Sequence, residues 1–360
     1  MRHVSTALAA SLAVLGSTGY PLGHQRGMKV AVDGDRTGKA QVVSSVDALP
    51  AHIATSFREP VAFTQVASGQ YLVLDRRAQA VYGIDRGRNE VTRLVQIGEE
   101  RGRIIRPVAL GCDRDGTFVV VDRPDERERI QRFADRGFLL NGFTLTPQPG
   151  AHLVIEGVVL GGIGSVQFTG DSIFVSQPHG GTLITEYSWD GRIRRAFGSL
   201  RATGHESDAA LHESLNTGLP LVDPTGGFFF VFQTGVPVFR KYDAAGNLDF
   251  ERHVEGRDLD EVLKNQPAVW PKRQAADGRE WPVTPPVVRT AAVDPRGNLW
   301  VAVATGGVYV YSPDGDKIRS LQLRGAGPLS PTSLFFANAS RLLVTPGCYI
   351  FDVAGVVPAR

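Results

Sequence analysis

Short, continuous apolar runs punctuated by Gly- and Asp-containing turns recur along the chain. Tyr71–Leu74, Phe118–Val121, Phe228–Phe232 and Leu299–Val303 are rich in aromatic and branched side chains. Runs of this length and composition predict strands whose two faces are both buried, as between stacked sheets, rather than strands with one wet face. The segment around Phe118 shows the surrounding grammar. Val108–Leu110 reads as a first strand, Asp113–Gly116 as a turn, and Thr117–Val121 as a second strand. Arg129–Phe133 reads as a third strand, and a second turn at Asp135–Gly137 leads into a fourth over Phe138–Leu145. Four strands joined by such turns form an antiparallel meander.

The same unit repeats. Gly69, Gly116, Gly170, Gly226 and Gly297 mark the turn between first and second strands, and Gly87, Gly137, Gly191, Gly246 and Gly315 mark the turn between third and fourth. Within a unit the two glycines are 18, 21, 21, 20 and 18 residues apart, whereas successive units start 47, 54, 56 and 71 residues apart. A nearly constant inner spacing with a drifting outer one is the behaviour of a rigid sheet whose connectors take the insertions. Asp113, Asp223 and Asp294 open a D-x-x-G form of the first turn, in which the carboxylate bonds its own backbone and Gly supplies positive φ.

A sixth unit starts at Pro331, with strands over Ser333–Phe336, Arg341–Val344 and Cys348–Val353, and lacks a fourth strand. Gln41–Val46 is a strand-like segment with no unit of its own. The expected architecture is therefore all-β: a six-bladed β-propeller of four-stranded antiparallel blades, closed by an N-terminal strand that completes the last blade and removes the open edges. Two long connectors interrupt the pattern. Arg201–Glu213 is polar, and Glu255–Val283 carries a helix signal in which Asp258 caps and Glu261 follows three residues later.

Composition narrows the function classes. The net charge of +2 gives no large field to steer nucleic acid. The two cysteines, Cys112 and Cys348, make no framework, and their places on opposite ends of non-adjacent blades predict free or buried thiols. Arg2 and His3 precede an apolar stretch, Val4–Leu15, too short to span a bilayer and suited to a signal peptide cleaved before Tyr20. The expected organisation is a signal peptide over 1–19, a flexible segment over 20–37 and the propeller over 38–357. The mature protein would be a periplasmic or secreted monomer with no membrane span.

Pro107, Asp113–Gly116, Phe118–Asp122 and Arg129–Phe133 together resemble the NHL repeat, with looser matches at Tyr71–Asp75 and Asp294–Gly297. The resemblance implies a six-bladed propeller of the secreted bacterial type, and it implies no activity.

In such a propeller the loops after the second strands and those entering the first strands share one face. That face gathers Asp75, Asp122, Gln233, Arg106 and Arg289, with His179 in a Pro-His-Gly-Gly loop. These six are the expected ligand-binding residues, and each Asp also reads as the cap of its own turn. No G-x-S-x-G elbow, phosphate loop or H-E-x-x-H motif occurs. No short motif supports a metal, so no cofactor is assigned. Calcium on Asp75 and Asp122, or zinc on these with His179, are the candidates to examine. The resulting expectation is a non-catalytic binding or scaffold propeller for a protein, peptide or glycan. The alternative is a metal-dependent lactone hydrolase or lyase centred on the channel, as the related propeller enzymes imply.

Overall fold

The computed structural model describes residues 40–113, 116–124, 127–145, 152–155, 158–161, 166–274, 278 and 280–357. The signal-peptide and flexible-segment assignments at 1–37 lie outside these residues. Each predicted unit is a four-stranded antiparallel sheet. Blade 1 comprises Pro60–Gln65, Tyr71–Asp75, Ala80–Ile84 and Val91–Val95. Blade 2 runs from Ala109–Cys112 to Leu139–Thr144, blade 3 from Val166–Phe168 to Ile193–Ser199, and blade 4 from Gly218–Val222 to Leu248–His253. Blade 5 runs from Val288–Val293 to Lys317–Arg324, and blade 6 contributes Ser333–Phe336, Arg341–Thr345 and Tyr349–Asp352. The first strand of every blade touches the first strands of both neighbouring blades, and blade 6 returns to blade 1, so the ring is closed.

Six apolar clusters fill the six interfaces, and the period of two explains why the second strands are continuously apolar. Leu72 and Leu74 face blade 2, where they join Phe118, Val120 and Phe133. The intervening Tyr71 and Val73 face blade 6 and meet Leu343 and Ile350. Phe229 and Val231 pack with Leu299 and Val301 of blade 5, whereas Phe228, Phe230 and Phe232 pack with Phe174 and Ile184 of blade 3. Every residue of Tyr71–Asp75, Phe118–Asp122, Phe228–Phe232 and Leu299–Val303 is buried, whereas most of the outer strand Leu248–His253 is exposed. Burial decreases outward because the outermost strand has solvent on its free edge and wider gaps beside it.

The turns form as the D-x-x-G spacing predicts. Asp223 accepts from the Thr225 amide at 2.8 Å, and Asp294 accepts from the amides of Arg296 and Asn298, both at 2.9 Å. Gly137 in the third-to-fourth turn of blade 2 has φ +81°, and a Cβ there would lie 2.4 Å from the Leu94 carbonyl of blade 1. Backbone conformation and blade packing both require glycine at that position.

The N-terminal segment closes the ring in two steps. Gln41–Ser44 pairs in parallel with Leu321–Arg324 as a fifth strand of blade 5, and Val43 alone of these residues is buried, in the cluster with Leu321 and Leu323. The chain then crosses to blade 6. The Val46 amide donates to the Ile350 carbonyl at 2.9 Å, and Asp47–Ala48 pairs with Tyr349 and Ile350 as the missing fourth strand. The segment expected to serve one blade thus spans two, because the eight-residue Lys317–Arg324 strand offers a free edge on the way. The long connectors also differ in detail from the sequence reading. Helix Ala209–Leu215 is capped by Asp208. Helix Arg257–Lys264 has Gly256 at its cap; Asp258 lies inside the first turn, where its carboxylate accepts from the hydroxyls of Thr305 and Tyr309. Trp270 is buried against Leu211 and Leu215 and pins the second connector to the first.

Candidate binding mouths of the central channel

The channel has two mouths, at opposite ends of the first strands. One is formed by the second-to-third turns and the first-strand entries, and it carries the residues singled out from sequence. Asp75 has no exposed surface. Its carboxylate accepts from the amides of Arg58 at 2.6 Å, Glu59 at 3.1 Å and Ala78 at 2.8 Å. Asp122, equally buried, accepts from the Ile105 amide at 2.9 Å and takes the Arg129 guanidinium in a two-pronged pair at 3.0 and 2.6 Å. Arg129 also donates to the carbonyls of Glu99 and Arg103. Both acids therefore tie the strand end to the loop that enters the same blade, and neither has an oxygen without a donor.

The other residues of this mouth are more loosely held. Arg106 is exposed with left-handed backbone (φ 49°), and its amide donates to Gln79. His179 sits in the short 3-10 turn Pro178–Gly180, half-buried, and burial holds its imidazole below the usual histidine range and hence neutral. Gln233 is 2% exposed; its amide nitrogen donates to the Arg289 carbonyl at 3.3 Å, while its Oε1 is buried without a partner. The hydroxyls of Ser176 and Thr182, on either side of the His179 turn, are likewise buried and unpartnered. The structure does not draw Asp75, Asp122 and His179 into one metal-binding set. Among the described residues no three His, Cys, Asp or Glu side chains converge to hold a metal ion. The carboxylate oxygens that calcium or zinc would need are occupied by N–H donors, so the donor set does not fit either ion.

The opposite mouth, formed by the first-to-second turns, opens into a cavity of about 1070 Å³ to which all six blades contribute. Blades 1 and 6 supply its charged wall. Arg86, in the third-to-fourth turn of blade 1, is exposed and has no hydrogen bond or ion pair with any described residue; its stem lies over the Gly69 turn. Arg341 of blade 6 donates to the Tyr71 hydroxyl, its guanidinium 5.6 Å from that ring, and its Nε is without a partner. Blade 2 adds Cys112 and Asp113, and blade 3 adds Gln167, Phe168 and Thr169. Blade 4, across the channel from blade 1 and Arg86, presents Val222 and Pro224, and blade 5, next to blade 6, presents Val293 and Pro295. The Cys112 thiol bonds the Thr64 hydroxyl at 2.8 Å, and burial pushes its pKa up to about 12, so it is a protonated lining group and no nucleophile. Cys348 is also free and buried, with its thiol pushed up to about 12 by burial.

Arg86 and Arg341 were not among the residues expected at the site. Arg86 lies beside Gly87 in the third-to-fourth turn, and the acids and His179 that suggest a ligand in the sequence belong to the other face. The turn register at Gly69 could have placed both arginines at the first-to-second mouth.

The chain is similar to several solved structures. The chain is similar to a calcium-binding protein, regucalcin, from Agrobacterium tumefaciens, with a TM-score of 0.50 and 14% identity over 87% of this chain and 95% of that one. It is also similar to a streptogramin B lyase, with a TM-score of 0.48 and 13% identity over 81% and 92% of the two chains. A luciferin-regenerating enzyme gives 0.47 and 10% over 81% and 84%. No family model matches the chain, and no curated protein matches it in sequence. The protein is a six-bladed β-propeller.

Proposed function

We propose that this protein is a non-catalytic binding or scaffold propeller, NHL-like in its second blade and working outside the cytoplasm, that takes its ligand at a mouth of the central channel. The observation that carries the reading is the cavity of about 1070 Å³, large enough for a short peptide or oligosaccharide segment. The tightly bonded acids of the other mouth support it as well, since they offer no convergent donors for metal-assisted hydrolysis. The apolar stretch Val4–Leu15 supports export; N-terminal sequencing of protein recovered from the periplasm or medium is expected to begin at Tyr20.

Gly170 provides the test, because it lines the cavity, has ordinary backbone and has open space where a side chain would go. Saturation-transfer NMR against a fixed set of tripeptides and neutral and uronic disaccharides should give at least one saturable, unchanged ligand that Gly170→Trp removes. Turnover of a simple lactone with added calcium or zinc would overturn the non-catalytic reading. A second reading keeps the ligand at the mouth of Asp75, Arg106, Asp122, His179, Gln233 and Arg289. It is favoured by the unpartnered oxygens of Gln233, Ser176 and Thr182. Loss of binding in His179→Ala with retention in Gly170→Trp would select it.

A further inference from the structure

The cavity at the first-to-second mouth carries two arginines, on blades 1 and 6, and an apolar arc of Val222, Pro224, Val293 and Pro295 on blades 4 and 5. Both arginines are anchored to one short stretch of blade 1: the Arg86 stem covers Gly69, and Arg341 caps Tyr71 two residues on. They therefore share a wall. Arg86 has no ion pair or hydrogen bond with any described residue, and Arg341 has one side-chain hydrogen bond and an unpartnered Nε. A guanidinium offers five donors in a planar fork that matches an anionic oxygen group. The acid on this lining, Asp113, occupies the D-x-x-G position whose counterparts Asp223 and Asp294 bond their own turns. In a ring of six, blade 4 faces blade 1, so Val222 and Pro224 lie across the channel from Arg86, with Val293 and Pro295 beside them.

Resting on the reading of this cavity as the binding site, we infer that the ligand class is an amphiphilic organic anion. Its carboxylate or sulfonate head lies at Arg86 with Arg341 beside it, and its apolar body lies toward blades 4 and 5. The head alone would be held weakly, because Arg86 is exposed and its field is screened by salt. The apolar arc supplies the rest of the affinity by losing contact with water.

Two dyes with one aromatic body separate these contributions. 8-Anilinonaphthalene-1-sulfonate carries the anionic head, and N-phenyl-1-naphthylamine lacks it. The sulfonate is expected to bind the folded protein saturably at one site, up to about fivefold more tightly than the uncharged dye, since a solvent-exposed charge pair contributes a factor of that order. Arg86→Ala should lower the sulfonate toward the affinity of the uncharged dye and leave the latter unchanged, Arg86→Lys should restore part of the preference, and added NaCl should weaken only the sulfonate. Gly170→Trp should remove both. Equal affinities in the wild type, a preference undiminished in Arg86→Ala, or no saturable sulfonate binding overturns the inference. If both dyes bind as before in Gly170→Trp, the cavity reading itself fails. If Gly170→Trp removes both but charge makes no difference, the cavity stands and only the anion falls.

Discussion

The two mouths of the channel are built from the same blades, yet the acids of one and Arg86 of the other are held in opposite ways. At the second-to-third mouth, Asp75 and Asp122 are fully buried and every carboxylate oxygen accepts from a backbone amide or from Arg129. At the first-to-second mouth, Arg86 is exposed with no such partner. A polar residue bonded on all sides by its own fold is committed to stability, whereas one held only by its stem is available to something else. Residue type does not separate the two cases, since an acid at a channel mouth suggests a ligand site until its hydrogen bonds are counted.

Breaking one of the committed acids should give the largest effect. Asp122→Ala removes the partner of Arg129, which is 7% exposed at its side chain and would be left as a buried, half-satisfied charge. Removing one member of such a pair costs roughly 3–5 kcal/mol. The variant should unfold at much lower urea concentration with unchanged slope, or fail to accumulate. If its midpoint stays within experimental error of the wild type, Asp122 is not structural and the contrast between the mouths collapses. Asp75→Asn, which keeps acceptor capacity on one oxygen, should lose less in the same measurement.

The cysteines sharpen the comparison chemically. Burial raises both thiols to about 12, with the Thr64 bond opposing the shift at Cys112. A raised thiol pKa means the native state holds its protons through pH 8, where an unfolded thiol near 8.5 is already partly ionised. Alkylation of the native protein at pH 8 should therefore run on the order of a hundredfold slower than in urea, and it should accelerate with pH well beyond 9. Because the folded form binds more protons between the unfolded and folded values, these thiols favour folding below about pH 8.5, and that contribution is lost as pH climbs toward 12. Rapid native labelling of Cys112 at neutral pH would show that the cavity exposes a reactive thiolate.

Much of the ring is legible in the sequence, for a specific reason. A blade's second strand meets a neighbour on each side, so Leu72 and Leu74 serve one interface while Tyr71 and Val73 serve the other, and the run becomes continuously apolar. The turns were legible because Gly137 and the D-x-x-G acids are demanded by local backbone geometry and close approach. The path of the N-terminal segment was less so. Its single buried side chain, Val43, cannot say which of two outer edges it joins, and the answer depends on the free edge of Lys317–Arg324. Asp258 followed the sequence rule for a helix cap, but the Thr305 and Tyr309 hydroxyls claimed its carboxylate from 47 and 51 residues away. The mouths were least legible. Whether an acid or an arginine is free is settled by partners distant in sequence, such as Gln79 for the Arg106 amide or Tyr71 for Arg341.

The smallest expected effect is the complement of the first. Arg86→Ala deletes an exposed side chain with no ion pair or hydrogen bond to the described residues, so its cost is confined to the packing of its stem over Gly69. Surface replacements of this kind change stability by no more than about 0.5 kcal/mol. Its urea midpoint should therefore overlay that of the wild type, whereas the Asp122→Ala midpoint should not. A loss in Arg86→Ala approaching that of Asp122→Ala would mean that Arg86 is held by the fold after all. The two mouths would then be alike, and the distinction between committed and available side chains would have no basis in this protein.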